Sequence, residues 1–140
     1  MALISETAIC LRFFGDDLQP ELLTSALGHP PTSSATKGEA IANEKSGRMS
    51  VARSGKWLLS VDRRQPGDLD GQILDLFGVL TEDVSVWRTL TAKYQPDLFV
   101  GLFLTGINEG IEMSAQSLEI LATRGVRLSL DVYGQWNDTP

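Results

Sequence analysis

Cysteine and histidine are almost absent from this sequence. Its 140 residues contain one cysteine, Cys10, and one histidine, His29. A single thiol excludes an internal disulfide, and one of each is too few for a zinc site or a Cys-His nucleophile. Hard cations need several convergent oxygen ligands, and no such set stands out. The sequence therefore predicts neither a metal site nor a cofactor.

Basic runs and long apolar stretches are also missing. The 18 acidic and 12 basic residues give a formal net charge of −6, and the densest basic pair is Arg63–Arg64. Nucleic-acid affinity depends on clustered Lys and Arg, so we expect no nucleic-acid binding. No apolar stretch reaches the roughly 18 residues that a membrane span needs, and the start "MALISETAIC" does not resemble a signal peptide. With one cysteine only, these absences predict a cytoplasmic protein without membrane contact.

Recognisable catalytic motifs are absent too. The chain has no G-x-S-x-G elbow and no glycine-rich phosphate loop. The adjacent Asp16 and Asp17 in "RFFGDDLQPELL" could serve as acid and base only if they converged on one reacting centre. Consecutive residues that leave a strand point to opposite faces, so we interpret both as turn residues before a helix that begins at Pro20. No catalytic residue is predicted, and the sequence favours a non-enzyme.

What the sequence does contain is an ordinary globular composition, with 42% apolar and 21% charged residues. This length is typical of one domain, which we place at residues 1–140. Hydrophobic patterning predicts the order β-α-loop-β-α-α-β-α-β, in which the region from Asp68 to Tyr94 is either two helices or one bent helix. Residues 29–54 lack any period and are predicted as a long loop, and residues 134–140 as a flexible tail.

This order predicts an α+β fold with a mostly antiparallel sheet and helices packed mainly on one face. "PELLTSALG" and "LEILATRG" are similar, which indicates ferredoxin-like βαβ units with a weak duplication. The strand "DLFVGLFLTG" is apolar on both faces and should be central. The last strand, "VRLSLDVY", is expected to bury Val126, Leu128, Leu130 and Val132.

Several of these segments together resemble a bacterial family known as domain of unknown function 4279. The matching pieces are "LRFFGDDLQPELLTSALG", Pro31-Thr32, "KGE" at residues 37–39, "GRMSVARSGKWLLS", the mid-chain helical pair and "LATRGVRLSLDVY". They span nearly the whole chain, and their order and spacing carry the resemblance. It implies a small bacterial cytoplasmic domain and brings no activity with it.

One candidate binding segment is "GRMSVARSGKW". Here Arg48, Arg53, Lys56 and Trp57 concentrate positive charge beside an aromatic ring, an arrangement that could hold a carboxylate or phosphate. The alternative is that Trp57 belongs to the core and that the arginines form surface ion pairs with nearby acidic residues.

The second candidate is the sheet face opposite the helices. Strand alternation places an apolar centre there, formed by Phe99, Gly101 and Phe103, and surrounds it with polar side chains: Arg12, Lys56, Ser60, Arg127, Ser129, Asp131 and Tyr133. A polar rim around an aromatic patch is typical of an interface. The alternative is that the middle helices cross over and bury this face.

We therefore expect a non-catalytic protein-interaction module that self-associates or binds and inhibits another bacterial protein, as small acidic immunity proteins do. The alternative is a small-ligand binder or an unrecognised enzyme that holds an anion with Arg48, Arg53, Asp16 and Tyr133. A protein partner or a homo-oligomer is expected in the first case.

Overall fold

A computed structural model describes residues 2–134, and in this range the expected order of the main strands and helices is confirmed. The strands are β1 (Ala2–Leu3), β2 (Glu6–Gly15), β3 (Ser33–Ala35), β4 (Ala40–Ala42), β5 (Met49–Val51), β6 (Gly55–Ser60), β7 (Asp97–Phe103), β8 (Glu109–Gly110) and β9 (Arg127–Tyr133). The helices are α1 (Pro20–Leu27), α2 (Leu69–Gly78), α3 (Val84–Tyr94) and α4 (Ala115–Arg124).

Five of the strands form the main sheet, in the order β3-β6-β2-β7-β9. The central strand β2 pairs antiparallel with β6 and with β7, and β3 pairs antiparallel with β6. Within the described part of the main sheet, only β7 and β9 are parallel neighbours, and β1 pairs parallel with β8 outside it. The fold is therefore α+β with a mostly antiparallel sheet, as the pattern predicts.

The helical connections between strands of the main sheet show which parts of the chain form βαβ units, as the predicted duplication requires. Because β6 and β7 both run antiparallel to β2, they form a split βαβ unit with α2 and α3, while β7, α4 and β9 form a direct one. In the same way, α1 connects β2 to β3, which run parallel with β6 between them, and so forms another split βαβ unit, unlike the direct unit that contains α4. The similar segments "PELLTSALG" and "LEILATRG" thus lie in different kinds of connection.

All four helices pack on one face of the sheet. Their apolar stripes share a single core cluster with alternate residues of the central strands, among them Ile9, Leu11, Phe13, Leu98 and Val100. Trp87 of α3 lies inside this cluster, and its indole N–H donates to the Thr81 carbonyl at 2.8 Å. One continuous core on one side leaves the other side of the sheet without a helix in the described part of the chain.

The helix ends follow from local chemistry. Pro20 occupies the first helical position of α1 after the N-cap Gln19, whose side chain makes no capping bond, and Gly28 ends the helix with φ of 84°. Asp68 and Ser114 cap α2 and α4 by accepting hydrogen bonds from the backbone N–H groups of Gly71 and Ser117. The region from Asp68 to Tyr94 forms two helices, and Asp83 caps the second.

The prediction of a long loop at residues 29–54 is wrong, and the predicted tail at residues 134–140 is almost wholly outside the described residues. Residues 29–54 are not one structureless loop, because β3 joins the main sheet and β4 pairs with β5 in a hairpin. These strands are three residues each, too short to show an alternating pattern. The predicted tail, residues 134–140, lies outside the described residues except for Gly134.

None of the helices in residues 2–134 combines the length and the hydrophobicity that crossing a bilayer requires.

Candidate functional site: the open face of the sheet

The open face is the side of the sheet that carries no helix, and its register places the predicted residues together. Across β2, β7 and β9, Arg12 lies beside Asp97 and Asp97 beside Arg127. The next positions on the same face place Cys10 beside Phe99 and Phe99 beside Ser129. At the far end, Phe103 lies beside Tyr133. Of the predicted candidates, this face collects Arg12, Lys56, Phe99, Phe103, Arg127, Asp131 and Tyr133.

The centre of the open face is a charge network around Asp97. The guanidinium of Arg12 donates two bonds to its carboxylate, at 2.8 and 2.7 Å, and the Ser129 hydroxyl donates a third at 2.8 Å. Burial would raise the pKa of Asp97, but these hydrogen bonds outweigh it and hold the pKa below its usual range. Hydrogen bonding to Asp97 correspondingly raises the pKa of Arg12. The Arg12 guanidinium therefore already has an ion-pair partner within the chain.

Aromatic rings flank this network. The Arg12 guanidinium carbon lies 4.3 Å from the ring centroid of Phe99 and 5.5 Å from that of Phe14, both cation–π distances. Phe103 and Tyr133 stack with centroids 4.6 Å apart and an interplanar angle of 4°. Phe14 is 44% exposed and Tyr133 47% exposed, so the open face presents aromatic surface at both ends.

A hollow of about 270 Å³ lies between the two aromatic groups. Small residues, Ala8 and Gly101, form part of its lining. A Cβ atom at Gly101 would come within 3.0 Å of the Phe103 ring, so the glycine gives that ring its space. Arg63 completes the rim, with its guanidinium carbon 4.9 Å from the Phe103 centroid. The hollow suits a protruding side chain of a partner better than a large ligand.

Cys10 also lines this hollow rather than the core where an apolar strand usually places a lone cysteine. It is half-buried, and burial raises the pKa of its thiol despite a hydrogen bond with Ser60. A raised pKa leaves less thiolate at neutral pH, which makes Cys10 a weak nucleophile.

The binding site predicted in "GRMSVARSGKW" is wrong, because its aromatic residue, Trp57, does not lie beside the basic residues. Trp57 is fully buried on the helix side, where its indole N–H donates to the Thr24 hydroxyl at 3.1 Å and its ring meets Phe13 edge-on. Trp57 and Lys56 are adjacent in a strand and so face opposite sides of the sheet. Arg48 and Arg53 are exposed in or after the hairpin, and within residues 2–134 neither forms an ion pair. The segment does not assemble a binding site.

Asp16 and Asp17 diverge. Asp16 pairs with Lys37 at 3.1 Å, and Asp17 pairs with Lys93 of α3 at 3.4 Å. Both carboxylates are largely exposed in the turn before Pro20, with lysines rather than backbone N–H groups as partners. The anion site combining Asp16 with Tyr133 is also not formed, because Asp16 follows Gly15 whereas Tyr133 lies in the row of Glu6, roughly 30 Å away along β2.

Sequence reasoning missed a groove of about 840 Å³ between the segment that contains "RRQPGD" and β8. Its charged groups are paired internally: Arg64 contacts Asp68 and Asp75, and Asp70 accepts hydrogen bonds from Ser114 and Ser117. The Ser117 bond lowers the pKa of Asp70. The doublet Arg63–Arg64 was the only signal in the sequence for this groove.

The last strand departs from its predicted burial. Leu128, Leu130 and Val132 lie on the helix side beside Leu98, Val100 and Leu102, yet they are 37%, 54% and 58% exposed. Only Val126, which precedes β9, is buried. The expectation that this strand buries its apolar residues is therefore wrong, because β9 lies at the sheet edge, beyond the main cover of the helix layer.

Comparison with known proteins gives one match. The family described as "Domain of unknown function (DUF4279)" matches residues 5–135, which include every strand of the main sheet and all four helices. No curated protein and no solved structure matches the chain. Because the family match covers nearly the whole sequence, the chain belongs to the DUF4279 family.

Proposed function

We propose that this chain is a cytoplasmic bacterial protein-interaction module without catalytic activity, and that it binds a protein partner through the open face. The observation that carries the proposal is the combination of exposed aromatic rings and cations on a sheet face that no described helix covers. Such a combination, with a polar rim around aromatic groups, is the composition of protein interfaces.

Three features support a rigid docking surface. The surface is formed by neighbouring strands rather than by loops, so its side chains are held by the sheet register. Arg12 is fixed by its two bonds to Asp97, and its guanidinium carbon lies 4.3 Å from the Phe99 ring centroid. Phe103 and Tyr133 brace each other by stacking. Preformed aromatic anchors lose little conformational entropy when a partner binds.

The best variants for a test avoid the Asp97 network. Replacing Arg12 by an acidic residue would leave the buried Asp97 beside a like charge, so lost binding could not be separated from lost stability. Phe14 and Lys56 are direct cross-strand neighbours on the open face, and neither forms a described hydrogen bond or ion pair with Asp97, although the Phe14 ring lies 5.5 Å from the Arg12 guanidinium carbon. The double change Phe14→Ala and Lys56→Glu therefore removes an aromatic anchor and reverses a charge at little cost to the fold.

The experiment is capture of partners from a lysate of the source organism with three immobilised proteins: wild type, Phe14→Ala/Lys56→Glu, and the control Leu22→Ala/Arg88→Glu. The control makes two comparable changes on exposed positions of α1 and α3, an apolar residue to alanine and a basic residue to glutamate. We expect a stoichiometric protein that binds wild type and the control and is lost with the open-face variant. Equal capture by all three proteins would contradict the proposal.

Binding of a small anion is the second possibility for the same face, because Arg63 lies at the rim of the hollow. A ligand that binds the native state raises its apparent stability. A thermal shift with a carboxylate or phosphate compound, abolished by Arg63→Ala and present without any captured protein, would favour this function over the interaction module.

A further inference from the structure

The outer edge of β9 is unpartnered in the described residues and combines features that suit pairing with another strand. The strand is seven residues long, contains no proline, and alternates three exposed aliphatic residues with polar ones. Exposed edges of this length are usually blocked by charges, prolines or bulges, because their free backbone groups pair readily with another strand. In β9 the aliphatic face carries no charged residue at all.

The backbone hydrogen bonds show which groups of β9 are free. The Arg127 N–H donates to the Pro96 carbonyl at 3.3 Å, and the Tyr133 carbonyl accepts from the Leu104 N–H at 3.0 Å. In a parallel pair, the N–H and C=O of one residue point to the same side and alternate residues point to opposite sides. The odd-numbered residues therefore bond towards β7, and Leu128, Leu130 and Val132 direct their backbone groups outwards.

We propose that two copies of this chain pair antiparallel along β9, with the two-fold axis at Leu130. In this register Leu130 faces Leu130 of the other copy, and Leu128 faces Val132 on either side. All three outward-facing residues of each strand exchange both of their bonds, which gives about six hydrogen bonds. The inference rests on the proposed function as an interaction module and names one of its partners.

The charges on the open face of β9 are self-complementary in this arrangement. Arg127 and Asp131 lie on the same face, four positions apart and on opposite sides of Ser129. In the register with the axis at Leu130, Arg127 of one copy lies diagonal to Asp131 of the other copy. This pair occurs twice in the dimer, and a long side chain can reach a diagonal neighbour. Isologous dimers require such self-complementarity, because the same patch must serve both subunits.

Neighbouring registers satisfy fewer groups. A two-fold axis at Asp131 would place two carboxylates directly opposite each other, which is unfavourable. An axis at Ser129 would place Val132 of one copy opposite Val126 of the other. The Val126 N–H already donates to the Leu121 carbonyl at 3.0 Å and is therefore not free to bond Val132. The register at Leu130 is the one in which every free backbone group of β9 finds a partner without a like-charge contact.

Directly opposed residues of paired strands share a face, so this dimer keeps both helix layers on one side. The aliphatic residues of β9 then cover one another, and α4 of each copy, with the exposed Leu118, lies next to the joint. The open faces of both copies form one continuous surface on the other side. Self-pairing would therefore double the surface that we propose for partner binding.

The test is the oligomeric state by sedimentation velocity across a wide concentration range, for wild type, Leu130→Lys and Leu22→Lys. Leu22 is an exposed aliphatic residue on α1 and makes the matched control. We expect wild type and Leu22→Lys to dimerise and Leu130→Lys to dimerise at least about tenfold more weakly, since two lysines would meet at the axis. A monomeric wild type, or a Leu130→Lys variant that dimerises like wild type, would overturn the proposal.

Disulfide trapping tests the register. In a Cys10→Ser background, Leu130→Cys places two thiols across the axis at a backbone separation of about 5.5 Å, which a disulfide can span. Leu128→Cys places them about four residues apart along the strand and should not cross-link. Preferential cross-linking of Leu128→Cys would overturn this register. A wild type that is monomeric but still captures its partner would overturn this inference alone, whereas dimerisation that depends on Leu130 without any partner capture would count only against the proposed function.

Discussion

The two edges of the main sheet differ in length, composition and exposure. β3 is three residues long, has the sequence Ser-Ser-Ala, and follows Pro30 and Pro31 closely. β9 is seven residues long, and its helix-side aliphatic residues are exposed. A short polar strand beside prolines is one of the common ways in which proteins protect a sheet edge. The edge formed by β3 is therefore protected from pairing with another strand, whereas the edge formed by β9 is not protected by any described residue.

The two edges are similar in how they attach to the sheet. Thr32, just before β3, donates its N–H to the Leu58 carbonyl at 2.7 Å and accepts the Ser60 N–H with its hydroxyl at 2.9 Å. β9 is held by its ladder to β7 and by the Ser129–Asp97 bond. β3 and β9 are both held by the strand next to them in the sheet, so for pairing they differ only along the edge that faces away from the sheet.

The largest expected effect comes from proline in β9, and it depends on which side of the strand loses its N–H group. Asp131→Pro removes a ladder bond to β7 and leaves the acceptor carbonyl unpaired, which should lower the free energy of unfolding by up to about 3 kcal/mol. Leu130→Pro removes only an outward N–H, so we expect a loss of roughly 1 kcal/mol and no self-pairing. Denaturant unfolding at concentrations where the chain is monomeric measures both. Equal destabilisation would show that the assigned alternation of β9 is wrong.

A second, smaller effect should loosen β9 and leave β3 unchanged. Asp97→Asn removes the charge that accepts bonds from Arg12 and Ser129, and hydrogen bonds to charged groups contribute about 2 kcal/mol. We expect faster amide hydrogen exchange in β9 than in wild type, with exchange in β3 unaffected. The control Asp131→Asn changes a half-buried carboxylate whose described partner is only the Tyr133 hydroxyl.

The pH dependence of this variant follows from the lowered pKa of Asp97. A carboxyl group whose pKa is lower in the folded state than in the unfolded state stabilises the fold above the unfolded value of about 4, and this contribution is lost as the pH falls through the folded pKa. The stability difference between wild type and Asp97→Asn should therefore be largest near neutral pH and shrink in acid. A difference that is constant down to pH 2 would contradict the charge network.

The sequence predicted which residues share a face far better than it predicted what covers that face. Strand alternation correctly grouped Phe99 and Phe103 with Arg12 on one face, and the turn before Pro20 correctly marked the start of α1. The same alternation in β9 indicated a buried face that is exposed. A period of two reports which side chains are neighbours, whereas burial depends on how far the helix layer reaches across the sheet.

The candidate site shows the same limit. Strand alternation placed Arg12, Phe99, Phe103 and Tyr133 on one face, and the structure has them there. Charge spacing suggested that Trp57 lies beside Arg48 and Arg53, but spacing along the chain does not reveal that Trp57 faces the core. The sequence does not single out Asp97, the residue that organises the face, because only the register reveals that it lies between Arg12 and Arg127, within reach of the Ser129 hydroxyl.

The smallest expected effect concerns the hairpin of β4 and β5, which follows the protected edge. Its strands pair with each other, and Met49 and Val51 are exposed. Glu39 and Ala52 flank it and are joined by a bond from the Ala52 N–H to the Glu39 carbonyl at 2.9 Å, so Asn-Gly can replace residues 40–51 as a two-residue turn. Since Ala35 and Ala52 stay in place, we expect a change below about 1 kcal/mol in the free energy of unfolding. Sedimentation of the shortened protein then separates two explanations of the protected edge: an unchanged oligomeric state would mean that β3 is protected by its own shortness, whereas larger assemblies would mean that the hairpin shields it.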